Sequence, residues 1–571
     1  MSAPVNNPAE PIQNLAIGKI IEVDGAHIIA ELDPKISELT RVYSGEAYPI
    51  GQFGSIIKIH FGRVLIYGYV GRLRMKSEYE MAAGVPSVTS PDARIIEADL
   101  FGEGQWILNA ALNPPGWELR FERGVSTYPL PQQVVYLTPM SELRFIYGHS
   151  KGATIQIGEH VGSGGTPCYA EMNELLGKHT AILGSTGAGK SAATAAILHS
   201  ILERGVHQGY TRWEPKMVIL DPHNEYGSAF PSHTRLSTDE GTLKLPYWLL
   251  NLQETISLLI GKTEFVATSQ ANIVKTALLN ARRAAAPTVQ IDPNKLTVDA
   301  PTPYSIDMFK TQVEEQRPSG RDKKEQEPYN SVINKLEVLQ NDQRLNFMMQ
   351  PWDGTSDPMV AVMSQFFGSD DQIRIVDFSG APNEIAGLAS AVIARTLFNF
   401  KVWQTSSERQ SAPIVLVCEE AHRYVPNRGE AQYEAAQEAI RRIAKEGRKY
   451  GLGLILISQR PSEVEATVLS QCNSWIVLRL TNDADREHVR SILPDSLAGL
   501  SKVLSGLRRR EAIFVGQAAM LPSRILIRKL EEDQLPRSQD IDFDKGWQSE
   551  AMSDAQKTEV AKRWRLQQRA T

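Results

Sequence analysis

The run Gly184-Ser-Thr-Gly-Ala-Gly189-Lys190-Ser191 carries the pattern G-x-x-x-x-G-K-[ST] of a phosphate-binding loop. A triphosphate needs several backbone N–H groups turned onto it, and glycine lets a chain wrap that tightly without Cβ clashes. In this reading Gly184, Thr186, Gly187, Ala188, Gly189 and Ala192 cradle the nucleotide. Lys190 places a positive charge at the β- and γ-phosphates, and Ser191 offers its hydroxyl to Mg²⁺. ATP and Mg²⁺ are therefore the expected cofactors. The flanks have the right character. Thr180-Ala-Ile-Leu183 predicts an apolar strand, and Ser191-Ala-Ala-Thr-Ala-Ala-Ile-Leu198 predicts a helix whose N-terminal dipole favours anions.

Hydrolysis also needs carboxylates at the end of a second strand, and Ile414-Val-Leu-Val-Cys-Glu419-Glu420-Ala-His-Arg423 supplies two. Glu419 stands where an Asp usually orients the Mg²⁺ shell through water, and Glu420 is the candidate general base. The competing reading is a pair of acids that merely caps the next helix. Leu454-Ile-Leu-Ile-Ser458-Gln459-Arg460-Pro461 also ends in polar groups. Gln459 is the candidate to sense the γ-phosphate or its water, against the alternative of a plain polar turn before proline. Asp221-Pro-His223-Asn-Glu225-Tyr226 and Asp377-Phe-Ser379-Gly380 are two more strand ends, and ligands of open parallel sheets gather at such ends. Asp221, His223 and Glu225 are candidates to orient water or couple nucleotide state to a loop, although a lone histidine is more often structural.

A basic helix follows, Arg441-Arg442-x2-Lys445-x2-Arg448-Lys449, with positions 441, 445 and 448 on one face. Its ordinary reading is a solvated basic face. A cation supplied across a subunit boundary, however, accelerates phosphoryl transfer by roughly 10³–10⁵. Arg448 is the choice for that role, with Lys178 second.

The elements that must hold these residues follow from pattern. Residues 1–165 contain short glycine-bounded apolar runs such as Gly54-Ser-Ile-Ile-Lys-Ile-His-Phe-Gly, the spacing of a small barrel or sandwich. The Pro-rich stretch at Tyr128-Pro-Leu-Pro-Gln reads as an approach to the next domain. Residues 166–250 alternate strand and helix, which predicts the first part of an α/β core. Residues 251–362 turn to helical periodicity, with Phe265-Val-x6-Ile273-Val274-x2-Ala277-Leu278 and Tyr329-x2-Val332-Ile333-x2-Leu336-x2-Leu339 predicting amphipathic helices. Arg317 to Glu327 reads as a solvated loop within that block. Strands resume over 363–530, at Ile373, Pro413, Leu452 and Trp475, and predict a parallel sheet with crossover helices. The tail, 531–571, ends in a helix from Asp554 to Arg569.

Composition sets the outer limits. At 571 residues, two to four domains are expected. No apolar run reaches the roughly 18 residues of a membrane span. The first residues lack the basic and apolar regions of a secretory signal. Cys168, Cys418 and Cys472 show no paired spacing, so neither a disulfide framework nor a metal cluster is expected, and a cytoplasmic location with no membrane partner fits. The net charge of −5 argues against a surface coated with nucleic acid but allows a local basic channel.

Together these blocks resemble the HerA family of the HerA/FtsK superfamily of ring-forming ATPases. The resemblance runs from about residue 15 to 530. It is carried by Gly51-Gln-Phe-Gly-Ser, Lys178 to Ser191, Asp221-Pro-His-Asn-Glu-Tyr226, Lys244-Leu-Pro-Tyr-Trp-Leu-Leu250, Val376-Asp-Phe-Ser-Gly380, Glu419-Glu-Ala-His-Arg-Tyr-Val-Pro426, Glu446-Gly-Arg-Lys-Tyr-Gly451, Ile457-Ser-Gln-Arg-Pro-Ser462 and Gly516-Gln-Ala-Ala-Met-Leu-Pro522. Asn224 stands where the family usually has Gly. The resemblance implies an N-terminal β-barrel, a RecA-like core with a helical insertion, and a homohexamer around double-stranded DNA. It also implies ATP sites at subunit boundaries with Arg448 acting in trans. Relatives pair with a nuclease to process DNA ends, and bacterial relatives of similar layout pair with an effector, a nuclease or a sirtuin-type NAD hydrolase, in antiphage defence, docked on the barrel face.

Three functions remain open on sequence alone: a DNA translocase, an ATP-dependent scaffold that activates an effector enzyme, or a remodeller of protein partners. DNA contacts are not assigned by pattern; Arg423, Arg428 and Arg460 are candidates.

Overall fold

The structure, a computed structural model, describes residues 8–36, 38–52, 54–82, 84, 93–109, 116–148, 152–161, 165–260, 267–319, 322–368, 371–381, 383–427, 434–492, 503–537 and 542–566. Phe53, Phe265, Val266, Gly320, Arg321, Arg428 and the last five residues, Gln567 to Thr571, lie outside them. The chain divides into two compact units. The first comprises Met1–Leu175, Ile182–Ser200 and Asn473–Lys529; the second comprises Leu176–Ala181, Ile201–Cys472 and Leu530–Thr571.

The first unit begins with nine strands: β1 (Ala16–Asp24), β2 (His27–Leu32), β3 (Thr40–Tyr43), β4 (Glu46–Pro49), β5 (Ile56–Phe61), β6 (Val64–Met75), β7 (Arg94–Asn109), β8 (Gly116–Arg123) and β9 (Val134–Leu137). They run in the order β2-β1-β9-β5-β6-β7, and β7 pairs back onto β2, so six strands close a barrel. Closure leaves those six without a free edge. β8 extends the ladder beyond β7, while β3 and β4 form a separate hairpin. Ile17, Ile20, Ile28, Ile57, Ile59 and Ile96 fill the core. Among them lies an ion pair: Lys58 Nζ donates to Glu142 Oε2 at 2.6 Å, and the Tyr67 hydroxyl donates to the other oxygen. Glu142 comes from the helix Met140–Gly148. The Pro-rich stretch at Tyr128 is not an approach to another domain. It leads into β9, and residues 132 and 133 exchange backbone hydrogen bonds with Ile20 of β1, so proline marks a barrel turn.

β10 (Thr154–His160) and β11 (Thr166–Glu171) pair antiparallel, and β12 (Thr180–Leu183) leads to the phosphate loop. The second unit holds β13 (Met217–Asp221), β14 (Thr234–Ser237), β15 (Ile373–Asp377), β16 (Ile414–Cys418) and β17 (Leu452–Ser458). These are parallel in the order β17-β16-β13-β15-β14. Every residue of β13, β15, β16 and β17 is buried, the reason these strands show no alternation of apolar and polar residues; β15 also buries Arg374, which donates to Gly368 O at 2.7 Å. Long helices Asn383–Trp403 and Glu434–Tyr450 make the crossovers. The first is apolar and long enough to span a membrane, over Ile385–Trp403, which the sequence reading did not anticipate; 67% of that window is buried within the protein. It is a core helix.

The last strands, β18 (Ser474–Val477), β19 (Glu511–Gly516) and β20 (Ser523–Ile527), return to the first unit. They pair antiparallel, as does β10 with β20. The sheet strands are therefore mixed in direction, because the short connection between β19 and β20 allows only a hairpin.

Between β14 and β15 lies the helical insertion, with helices Leu252–Leu259, Ala267–Ala285, Ile306–Glu315, Lys323–Asn341 and Met359–Phe367 among others. Residues 323–327 are helical rather than loop, because Asp322 caps the helix by accepting from the Lys324 N–H. The entry to the block is held by two arginines. Arg282 donates to the carbonyls of Trp248 at 3.0 Å and Leu250 at 2.7 Å, and Arg395 donates to Leu249 O at 2.7 Å. The tail carries helices Phe543–Gln548 and Asp554–Leu566.

Candidate active site

The phosphate loop leaves β12, whose four residues are all buried, and runs into the helix Lys190–Gln208. Gly187 and Gly189 have φ of +73° and +95°, a backbone that L side chains resist. A Cβ on Gly184 would approach the Leu478 Cβ to 2.9 Å. The loop is pinned from one side: Ser185 N–H donates to Arg479 O at 2.9 Å, and Thr481 N–H donates to Ser185 Oγ at 3.0 Å. Ala188 N–H closes the turn onto Ser185 O. Lys190 is buried, and its ammonium lies 3.4 Å from Ser185 O, at the loop's own backbone. Thr186 is exposed, whereas Ser191 and Ala192, in the first helical turn, are half-buried. Left-handed glycines at the mouth of a helix form the cradle a polyphosphate requires.

In the second unit, parallel pairing brings the carboxyl ends of β13, β15 and β16 level, with Asp221 opposite Asp377 and Leu220 opposite Cys418. Asp221 is fully buried. It accepts from the N–H groups of His223 at 3.2 Å and Tyr226 at 3.0 Å, and burial pushes its carboxyl up to about 6. Asp377 accepts from Arg235 at 2.7 Å and from Ser379 N–H at 2.8 Å. Gly380 sits against Asp239, whose carboxylate occupies the space a Cβ would need.

Glu419 and Glu420 follow β16, 4% and 6% exposed. Glu419 N–H donates to Leu220 O, and its Oε2 accepts from the Tyr226 hydroxyl at 2.6 Å. Glu420 adopts a left-handed backbone, φ +54° and ψ +52°. For a residue with a Cβ this costs roughly 1–3 kcal/mol, and such strain concentrates at functional sites. Its Oε2 lies 3.2 Å from His422 Nδ1, which is 3.3 Å from Ser458 Oγ at the tip of β17. Burial lowers the His422 pKa against the upward pull of Glu420. Ser458 Oγ accepts from Arg460 N–H at 3.0 Å, so Gln459, half-buried, projects from a fixed turn. The two acids do not cap a long helix; only a single 3₁₀ turn, Ala421–Arg423, follows.

Other candidates are placed differently. His223 is exposed and Glu225 half-buried, so the member of the Asp221–Tyr226 block that reaches the acids is Tyr226, which sequence reasoning passed over. Asn224 has φ +55°, a left-handed backbone that asparagine tolerates better than most residues with a Cβ. In the helix Glu434–Tyr450, Arg441 binds Glu465 at 2.9 Å and Glu438 at 3.0 Å, and the Arg442 guanidinium covers the Phe398 ring at 4.6 Å. Lys445 and Arg448 are exposed, and the Arg448 side chain makes no hydrogen bond or ion pair among the described residues. Lys178 and Arg423 are half-buried; Arg460 is exposed and pairs with Glu463 at 2.8 Å. Next to Lys178, His179 is buried with φ +60°, and its Nδ1 accepts from Leu454 N–H at 3.1 Å.

The Ser191 hydroxyl in the first unit and the Glu419 carboxylate in the second are each hard oxygen donors, the ligand type that Mg²⁺ takes alongside water and phosphate oxygens. Among the described residues no group of three or more His, Cys, Asp or Glu could hold a metal ion.

A phosphate-binding loop ahead of a helix, with buried acids at the tip of a parallel strand, defines a P-loop ATPase with a RecA-like core. Residues 155–397 match the family described as "Helicase HerA, central domain". The chain is 25% identical over 437 residues to the DNA double-strand break repair helicase HerA of Pyrococcus furiosus, spanning 70% of this chain and 73% of that protein. It is 26% identical over 408 residues to the protein of the same name from Sulfolobus acidocaldarius, and 23% identical over 405 residues to a probable helicase of Methanocaldococcus jannaschii. Among solved structures, VirB4 of Thermoanaerobacter pseudethanolicus aligns at TM-score 0.46 and 18% identity, over 67% of this chain and 98% of that one. Over the central segment 155–397 the chain is similar to HerA helicases, and it is an ATP hydrolase of the helicase and translocase type.

Proposed function

We propose that this protein is a translocase that moves on double-stranded DNA as a cytoplasmic homohexamer, driven by ATP hydrolysis. The observation that carries the reading is the phosphate loop, with Gly187 and Gly189 left-handed and Lys190 at the helix mouth. Curated relatives named as DNA double-strand break repair helicases support DNA as the track.

In this proposal Lys190 and Ser191 bind the triphosphate, and the backbone amides of the loop orient it. Glu420 takes the proton of the attacking water; its left-handed backbone sets its position, and His422 Nδ1 lies 3.2 Å from its carboxylate. Glu419 would hold the water shell of Mg²⁺. Mg²⁺, when bound, would supply positive charge to the phosphates of the nucleotide. Gln459, on the turn after Ser458, registers the γ-phosphate, and Arg448 of a neighbouring copy neutralises the transferred phosphoryl group. Arg423, Arg428 and Arg460 are the proposed DNA contacts, and an effector protein, a nuclease or a sirtuin-type NAD hydrolase, is the proposed partner.

The test is ATP turnover with and without duplex DNA, together with displacement of a labelled duplex by the assembled ring. DNA should stimulate turnover and binding should weaken with salt. Turnover indifferent to DNA, with no duplex movement, would sink the translocase reading.

A further inference from the structure

Tyr226 is fully buried and joins two strand tips. Its N–H donates to Asp221 Oδ2 at 3.0 Å, and its hydroxyl donates to Glu419 Oε2 at 2.6 Å. The route between them is set by the backbone. The chain leaves β13 at Asp221, turns through the left-handed Asn224, and enters a 3₁₀ turn that begins with Tyr226. β13 and β16 are adjacent and parallel, with Leu220 opposite Cys418, so the turn delivers the phenol to the residue just past β16. Asp221 therefore holds the turn, and the turn holds Glu419.

A hydrogen bond from a hydroxyl to an ionised carboxylate is short and strong, and in a buried site it selects one orientation of the carboxylate plane. A phenylalanine would fill the same volume and lack only this bond. We infer that Tyr226 is a positioning residue that orients the Glu419 carboxylate and so sets the Mg²⁺ requirement of nucleotide binding. The inference rests on the reading of Glu419 as the group that holds the Mg²⁺ water shell.

Partners of this kind, one step removed from the metal, change metal affinity or activity by about 10–100-fold when lost. The experiment titrates Mg²⁺ into the full-length protein with a fluorescent non-hydrolysable ATP analogue, for the native chain, Tyr226→Phe, Glu419→Gln and the double variant. Tyr226→Phe should bind the metal-free analogue as the native protein does, yet need about tenfold more Mg²⁺ for half-maximal tightening. In the double variant the tyrosine change should add nothing to Glu419→Gln, because the acceptor is already neutral. A native Mg²⁺ requirement in Tyr226→Phe beside a raised one in Glu419→Gln overturns the inference alone. A native requirement in Glu419→Gln overturns the reading of Glu419, and the inference falls with it. An additive double variant shows that Tyr226 acts by packing, which also overturns it.

Discussion

Arg395 grips Glu254 with two parallel hydrogen bonds, Nε to Oε1 and Nη2 to Oε2, both at 2.7 Å. Glu254 is 1% exposed and is also the third residue of the capping box that starts the helix Leu252–Leu259. Removing the arginine leaves a buried carboxylate without its countercharge, which costs about 3–5 kcal/mol. Arg395→Ala should therefore melt well below the native protein. Arg344→Ala, which breaks an exposed pair with Asp342, should change stability by no more than about 1 kcal/mol. Denaturant titration of the two variants checks the contrast.

Glu420→Gln should bind ATP with near-native affinity while hydrolysis falls by about 10²–10⁴, the usual contribution of a general base. Lys190→Ala should lose nucleotide binding itself. Parallel measurement of analogue binding and phosphate release separates the two. Loss of binding in Glu420→Gln would show that its left-handed turn is structural rather than catalytic.

Arg448 is exposed in a helix whose other arginines are engaged, Arg441 with Glu465 and Arg442 on Phe398. If it serves a neighbouring copy, Arg448→Ala and Lys190→Ala are each inactive alone. Mixed, they should recover turnover, because some boundaries then combine a native loop with a native arginine. A mixture as inactive as its parts rules out action in trans.

Burial lowers the His179 pKa from 6.5 to about 4. Between those values the unfolded chain binds more protons than the folded one, so this group's contribution to stability falls as pH drops from about 6.5 to about 4. The full shift corresponds to about 3 kcal/mol at 1.36 kcal/mol per unit. His179→Gln should flatten the pH dependence of unfolding in that window. An unchanged slope would place the acid sensitivity elsewhere.

What could be read in advance divides along a physical line. The phosphate loop, the buried strands and the pair Glu419–Glu420 are local, because a run of apolar residues ending in acids is visible without knowing any partner. The roles of Tyr226, His422 and His179 were not visible. Each depends on a side chain meeting a group far away in the chain, such as Tyr226 with Glu419, 193 residues apart, and no periodicity marks such a meeting. The same limit explains Arg441. Its helical face was evident, but its capture by Glu465 was not, and so it looked as available as Arg448. Proline misled for a different reason: at Tyr128–Gln132 it marks a rim turn of the barrel, and turn chemistry alone does not say which domain a turn belongs to.

The ion pair of Lys58 and Glu142 ties the identity of the barrel to the helix beside it. Chimeras that graft foreign strands onto this chain must carry the lysine, the glutamate and Tyr67 as a set. Replacing Lys58 with an uncharged residue would leave the buried Glu142 carboxylate without its countercharge, and losing Glu142 would leave the buried Lys58 ammonium without its own.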